Sequence, residues 1–105
     1  MTIVTRWTDY QGRIVELTDE GWTHILEGHP CMESRLDAIG AAVISPIVVI
    51  RDRDRRRVEH HYGEKRGRLH TVVIVIYRPT PDGWVGTVLT ALRTERLEKG
   101  EQLWP

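Results

Sequence analysis

Beyond Pro46 the chain is dominated by four strand-length segments, "IVVIRD", "RRVEHHY", "RLHTVVIVIYR" and "WVGTVLTALRT", parted only by short polar stretches such as "GEKRG" and "PTPDG". β-Branched and aromatic residues suit a pleated surface, and Gly, Pro and Asp interrupt each run after a few residues. The pattern of strands and turns reads as an antiparallel meander. The run from Leu69 to Arg78 is apolar on both faces, which suits a central strand. Arg55 to Tyr62 is polar enough to belong nearer an edge.

The N-terminal part reads differently. "TIVTRW" sets Ile3, Thr5 and Trp7 against Val4, Arg6 and Thr8, and "RIVEL" has similar β character, so a hairpin across "DYQGR" is expected. In "TDEGWTHILEGHP" Thr18 can cap a helix, Asp19 and Glu20 suit its positive start, and Trp22, Ile25, Leu26 and His29 share one face; Gly28 and Pro30 end it. A second helix is expected from Glu33 to Ile44, with Leu36, Ile39, Gly40 and Val43 inward and Ser45-Pro46 as its stop. The 105 residues make one domain, 1–105. The expected fold is α+β, with two N-terminal helices packed on one face of an antiparallel β-meander sheet and the opposite face open to a ligand.

The net charge is zero, but it is unevenly distributed: residues 1–50 sum to −4, residues 51–68 to +4 and residues 69–105 to 0. The basic stripe from Arg51 to Arg68 reads either as a phosphate-binding surface or as a solvated, arginine-rich edge strand. "MTIVTRWTDY" lacks the basic and apolar regions of a signal peptide, and the apolar run Val72–Tyr77 is far shorter than the roughly 18 residues of a membrane span, so a soluble, cytoplasmic chain with no membrane partner is expected. The lone Cys31 excludes an internal disulfide and a cysteine-based zinc cage, and reads better as a small buried side chain than as a nucleophile.

Candidate chemistry centres on "VEHHYG". Along a strand Arg56, Val58, His60 and Tyr62 share one face, and Arg57, Glu59 and His61 the other, so the two histidines cannot ligate one ion without a bulge. His60, between Val58 and Tyr62, reads as a core histidine. His61 is the better candidate for phosphate chemistry, or else an ordinary surface histidine. His24 and His29 lie five apart rather than at the His-Glu-x-x-His spacing, neither serine sits in a nucleophile elbow, and no phosphate-binding glycine loop is present. No metal site and no cofactor are therefore expected, and acid–base chemistry on a charged substrate is left. His29 lies at a helix end, where it is either a group that titrates near neutrality or a simple helix closure. Thr90 in "LTALRT", read as sharing a face with Trp84, Gly86, Val88 and Leu92, can bond a phosphate, or can serve only as a strand former.

Taken together, "WTHILEGHP", "ISPIVVIRD", "HHYG", "VVIVIY", "GTVLTALRT" and "EKGEQLW" resemble the small phage and bacterial nuclease-like domains of the barnase/EndoU/colicin/RelE superfamily, over Leu17 to Trp104. The resemblance implies a helical pair on an antiparallel sheet, an active site on the opposite face or at its rim, and metal-independent cleavage of RNA by a toxin held silent by an antitoxin encoded nearby. It carries over to His29, His61, Tyr62, Thr90 and His24 as catalytic positions. Gly28 replaces a frequent basic residue, and Cys31-Met32 a usual acidic one. Arg55, Arg56, Arg57, Arg68 and Arg93 are the residues expected to hold RNA. Two rival readings stay open: a non-catalytic module that docks nucleic acid or an acidic protein on the arginine stripe, and a structural partner whose four tryptophans anchor an oligomer.

Overall fold

The computed structural model describes all 105 residues as an α+β fold of two α-helices and a seven-stranded mixed sheet. Strands β1 (Ile3–Thr8) and β2 (Ile14–Thr18) form the N-terminal hairpin; helix α1 (Asp19–Gly28), a 3₁₀ turn (Pro30–Met32) and helix α2 (Leu36–Ile44) follow. Then come β3 (Val48–Arg51), β4 (Val58–Arg66), β5 (Leu69–Thr80), β6 (Gly83–Thr94) and a short β7 (Gln102–Trp104). In space the order is β1-β2-β6-β5-β4-β3-β7. The meander is present as β3 to β6, with β5 at the centre of the sheet. The sheet is nonetheless not purely antiparallel, because β2 lies parallel to β6, Ile14 opposite Val85 and Glu16 opposite Thr87. Helices α1 and α2 sit between β2 and β3, so the hairpin reaches the sheet through a helical connection, which permits a parallel pairing.

Local chemistry explains each helix start and stop. Thr18 Oγ1 accepts the Gly21 N–H at 3.0 Å, and Asp19 and Glu20 lie in the first turn, where the helix dipole favours negative charge. Glu33–Arg35 do not join α2. Pro30 starts a 3₁₀ turn instead, which buries Met32 completely and leaves Cys31 exposed, so the expected burial of Cys31 is corrected. Within α2, Ile39, Gly40 and Val43 are buried, and an added Cβ at Gly40 would lie 2.7 Å from the Trp7 indole nitrogen. Glycine is what lets the Trp7 ring lie against the helix.

Two apolar clusters mark the two faces of the sheet. The larger joins Ile25, Met32, Ile39, Ala42 and Val43 of the helical region to Val15, Leu17, Val73, Val75, Val88 and Ala91. The smaller, on the other face, comprises Ile50, Tyr62 and Val72, with Val48, Ile74 and Leu92 against it. The sheet curls around the larger cluster: α2 touches Trp7 of β1 and approaches Gly63 of β4, although three strands separate β1 from β4. At the other end of the curl the β1–β2 turn reaches across to β4 and β7, with Tyr10 5.5 Å from both the His61 and the Trp104 ring centroids. No helix is long and apolar enough to cross a membrane.

A bulge in β6 changes one side-chain assignment. Ile74 opposes Thr90 while the adjacent Val75 opposes Val88, so Leu89 is extra and the alternation reverses across it. Val88 and Ala91 therefore point into the larger cluster, while Thr90 and Leu92 point to the opposite face. Thr90 does not share a face with Trp84, Gly86 and Val88.

Candidate active site

The polar centre of the molecule lies inside the curl of the sheet, below the helices, and it is assembled by one short turn. Asp9 opens the β1–β2 turn by accepting the backbone N–H groups of Gln11 and Arg13 on Oδ1, at 2.8 and 2.9 Å. Its other oxygen, Oδ2, accepts from Arg13 Nε at 2.8 Å and from the Tyr77 hydroxyl at 2.6 Å. Arg13 then reaches β4, where its two terminal nitrogens donate to the two carboxylate oxygens of Glu59 at 2.9 and 3.0 Å. This bidentate geometry is the strongest that a neutralising pair offers. Tyr10 also donates to Glu59, at 3.1 Å. The Arg13 guanidinium lies 3.8 Å above the Tyr77 ring centre, which adds a cation–π contact.

His61 completes the cluster from behind. It is wholly buried, and its Nε2 lies 3.2 Å from the Tyr77 hydroxyl and 3.4 Å from Glu59 Oε1. The Tyr77 hydrogen is committed to Asp9, so Nε2 is assigned the imidazole hydrogen and the Tyr77 oxygen accepts it. Nδ1 then keeps a lone pair with no partner in the buried interior. Gly86 makes room for this arrangement: an added Cβ would lie 2.7 Å from Val75 Cγ1 and 2.8 Å from Tyr77 Cε1. Gly86→Ala should therefore lower stability by about 1–3 kcal/mol through overpacking. Thermal or urea melts check it, and an unchanged midpoint would mean that the Tyr77 ring moves aside freely.

Burial alone would raise the Glu59 carboxyl, but hydrogen bonds from His61 and Arg13 and the Arg13 charge outweigh it and hold the pKa down at about 2. Burial, with the hydrogen bond to Asp9, pushes the Tyr77 hydroxyl well above the ordinary phenol range. Burial and the Glu59 charge do the same to Tyr10. Glu59 is thus an anchor for Arg13 that stays ionised near neutrality.

Above the network opens a pocket of about 230 Å³, lined by Tyr10, Gln11, Arg13, Glu59 and Tyr77 and by Arg51, Arg56, Arg57, Trp84 and Leu103. Arg56 and Arg57 line it together because they do not belong to the strand. Asp52 Oδ2 accepts the backbone N–H groups of Asp54 and Arg55, and Val58 N–H closes a turn onto the Arg55 carbonyl, so β4 begins only at Val58. Strand alternation, which would send Arg56 and Arg57 to opposite faces, does not apply to them. Arg51 is held by Glu101 at 3.0 Å and by the Arg56 carbonyl, whereas the Arg56 and Arg57 guanidinium groups bond to nothing within the protein. Arg57 lies 5.7 Å from the Trp84 ring centre.

The residues singled out in the sequence are dispersed over the molecule. His60 and His61 do take opposite faces of β4: His60 is buried and bonds Asp52 at 2.8 Å, a contact that lowers the Asp52 pKa to about 2. Tyr62 is on the His60 face, where its hydroxyl accepts the Glu98 N–H at 2.7 Å. Thr90 is half-buried on that same face. His29 caps the end of α1, and its backbone N–H donates to the Ile25 carbonyl. His24 is exposed among Asp19, Glu20, Thr23 and Glu27. Arg55 pairs with Asp52 at 3.5 Å, Arg68 is exposed beside the β4–β5 turn, and Arg93 donates to the Arg66 carbonyl far from the pocket. Of that set only His61 enters the polar network, and only Arg56 and Arg57 line the pocket. Asp9, Tyr10, Arg13, Glu59, Tyr77 and Trp84 form the remainder of the site. One signal for them was present in the chain: a tyrosine closing the apolar run "VVIVIY" needs a buried partner for its hydroxyl, and the charged ends of "DYQGR" supply it.

No group of three or more His, Cys, Asp or Glu side chains in the structure is arranged to hold a metal ion. No family model, no curated protein and no solved structure matches the chain.

Proposed function

We propose that the chain is a small metal-independent ribonuclease of the kind found in the barnase/EndoU/colicin/RelE superfamily, acting in the cytoplasm as the toxin of a toxin–antitoxin or phage-defence pair. The observation that carries this reading is the convergence of Arg51, Arg56 and Arg57 with Arg13, Glu59 and Tyr77 around one pocket. Two of these guanidinium groups, those of Arg56 and Arg57, make no hydrogen bond or ion pair within the protein, which suits an anionic ligand such as a phosphodiester. The proposed site lies at the rim of the helix-covered face rather than on the open opposite face.

Cleavage requires the ribose 2′-oxygen to attack phosphorus as the 5′-oxygen leaves, which gives a 2′,3′-cyclic phosphate. Arg56 and Arg57 would stabilise the charge on the phosphoryl oxygens and the leaving oxygen. Glu59, so strongly acidic, is a poor proton acceptor near neutrality, and its part is to hold Arg13. The proton route would be Tyr77: its oxygen would take the 2′-hydroxyl proton while its own hydrogen passes to Asp9 Oδ2, and the leaving 5′-oxygen, its charge held by Arg56 and Arg57, would take a proton from solvent water. His61, bonded to the tyrosine oxygen, is a positioning residue.

The isolated protein should cleave a mixed RNA pool in excess EDTA and leave 2′,3′-cyclic ends. Tyr77→Phe should slow cleavage by about 10²-fold or more with the fold retained. Arg56→Ala with Arg57→Ala should weaken binding and lower the salt dependence by about 0.7 per lost phosphate contact on a single strand. Cleavage that stops in EDTA and returns with a divalent ion overturns the metal-free mechanism. The second reading, a non-catalytic RNA-binding module, is favoured by one observation: no histidine lines the pocket, and its only carboxylate is already paired. Salt-dependent RNA binding through Arg56 and Arg57 with no cleavage under any condition would establish it. Relief of growth arrest by co-expression of the neighbouring gene would identify the antitoxin.

A further inference from the structure

Trp84 stands where the phosphate pocket ends. It is 46 % exposed near the start of β6, so much of its ring is open to solvent. Arg57 Cζ lies over the indole, 5.7 Å from its ring centre, so a guanidinium with no hydrogen-bond partner in the protein and an exposed indole stand together at the pocket. Trp84 also borders a second, wider hollow of about 650 Å³, lined among others by Arg13, Arg78, Glu16 and Asp82. The two hollows differ in charge. The first brings four arginines against one carboxylate, already paired with Arg13. The second mixes two arginines with two carboxylates and so offers a phosphate no net attraction.

The geometry points to Trp84 as a base-stacking platform that makes the pocket selective for single-stranded RNA, with one nucleobase lying on the indole and its phosphate held by Arg56 and Arg57. The inference rests on the reading of the pocket as a phosphodiester site and adds to it the class of strand accepted. A base paired within a duplex is stacked on its neighbours above and below and cannot cover the indole, whereas an unpaired base can turn out onto it. Any of the four bases presents a ring face, so the platform confers strand selectivity with little sequence preference. Phosphate binding in the first hollow only gives the strand a defined place relative to Tyr77.

The test uses the intact protein and a 2′-O-methyl RNA hexamer, which lacks the attacking hydroxyl, so binding is measured apart from cleavage. Wild type should bind this hexamer about 10-fold or more tightly than the same hexamer made abasic, the ratio expected of one stacked base. In Trp84→Ala the two hexamers should bind alike, at the wild-type affinity for the abasic strand, and Trp84→Phe should restore part of the difference. A 2′-O-methyl duplex should bind like the abasic strand. Arg56→Ala with Arg57→Ala should weaken both hexamers and lower the salt slope, while Arg78→Ala should change neither. Equal affinity of wild type for base-bearing and abasic strands, or full discrimination kept in Trp84→Ala, overturns the platform. Trp84-dependent binding in a protein that cleaves no RNA would instead overturn the ribonuclease reading and leave the platform standing.

Discussion

Arg13→Met should destabilise the domain by about 3–5 kcal/mol, because it removes the one cation shared by two carboxylates held away from water. Arg13 bonds Asp9 through Nε and Glu59 through both terminal nitrogens, and the Asp9 and Glu59 side chains are almost entirely enclosed. Methionine fills similar volume, so the loss is electrostatic rather than a cavity. Against the roughly 5–15 kcal/mol that separates a folded domain from its unfolded chain, this change alone threatens folding. Adding Asp9→Asn and Glu59→Gln to Arg13→Met should recover part of the loss, since neutral amides replace the uncompensated charges. Urea titration of the three proteins checks both statements. A loss below about 1 kcal/mol in Arg13→Met, the range of exposed ion pairs, would mean that water reaches the two carboxylates.

Stability should be flat near neutrality and should fall steadily as the pH drops from about 5 toward 2. The sign follows from the depressed carboxyls. Glu59 goes from the usual 4.5 to about 2, and Asp52 from 3.8 to about 2. A group with a lower pKa in the folded state contributes its stabilisation above its unfolded pKa and loses it as pH falls through the folded value, because the unfolded chain binds the proton first. For Glu59, enclosed by Arg13, Tyr10 and His61, the full contribution is on the order of 3 kcal/mol. Asp52 lies nearer the surface, bonded to His60 and flanked by Arg55, and its share is smaller. Glu59→Gln should be less stable than wild type at pH 7 and should show a shallower decline between pH 5 and 2. An identical slope in wild type and Glu59→Gln would refute the assignment of the acid sensitivity to this pair.

The elements of the fold were legible because they depend on local chemistry. Thr18 caps α1 through its own hydroxyl, Pro30 ends that helix by removing an N–H, and the β-branched run Val72–Tyr77 has no state as favourable as a covered strand. Side-chain alternation likewise separated His60 from His61 correctly, since their surroundings in β4 are regular. The parallel contact of β2 with β6 was not legible, because a pairing between residues some 70 positions apart is chosen by where the curled sheet can close over Val15 and Leu17, and no local pattern records it. The bulge at Leu89 reversed Thr90, and the Asp52 turn took Arg56 and Arg57 out of the strand. In each case one backbone irregularity re-aimed residues whose identities had been read correctly. The site itself is a tertiary product. Asp9 and Arg13 lie in a turn that looks like an ordinary surface connection, and Glu59 and Tyr77 look like a surface acid and a strand aromatic. Only the curl of the sheet, driven by burial of apolar side chains around α1 and α2, carries that turn across to β4 and β5. There the carboxylates, deprived of water, must meet Arg13.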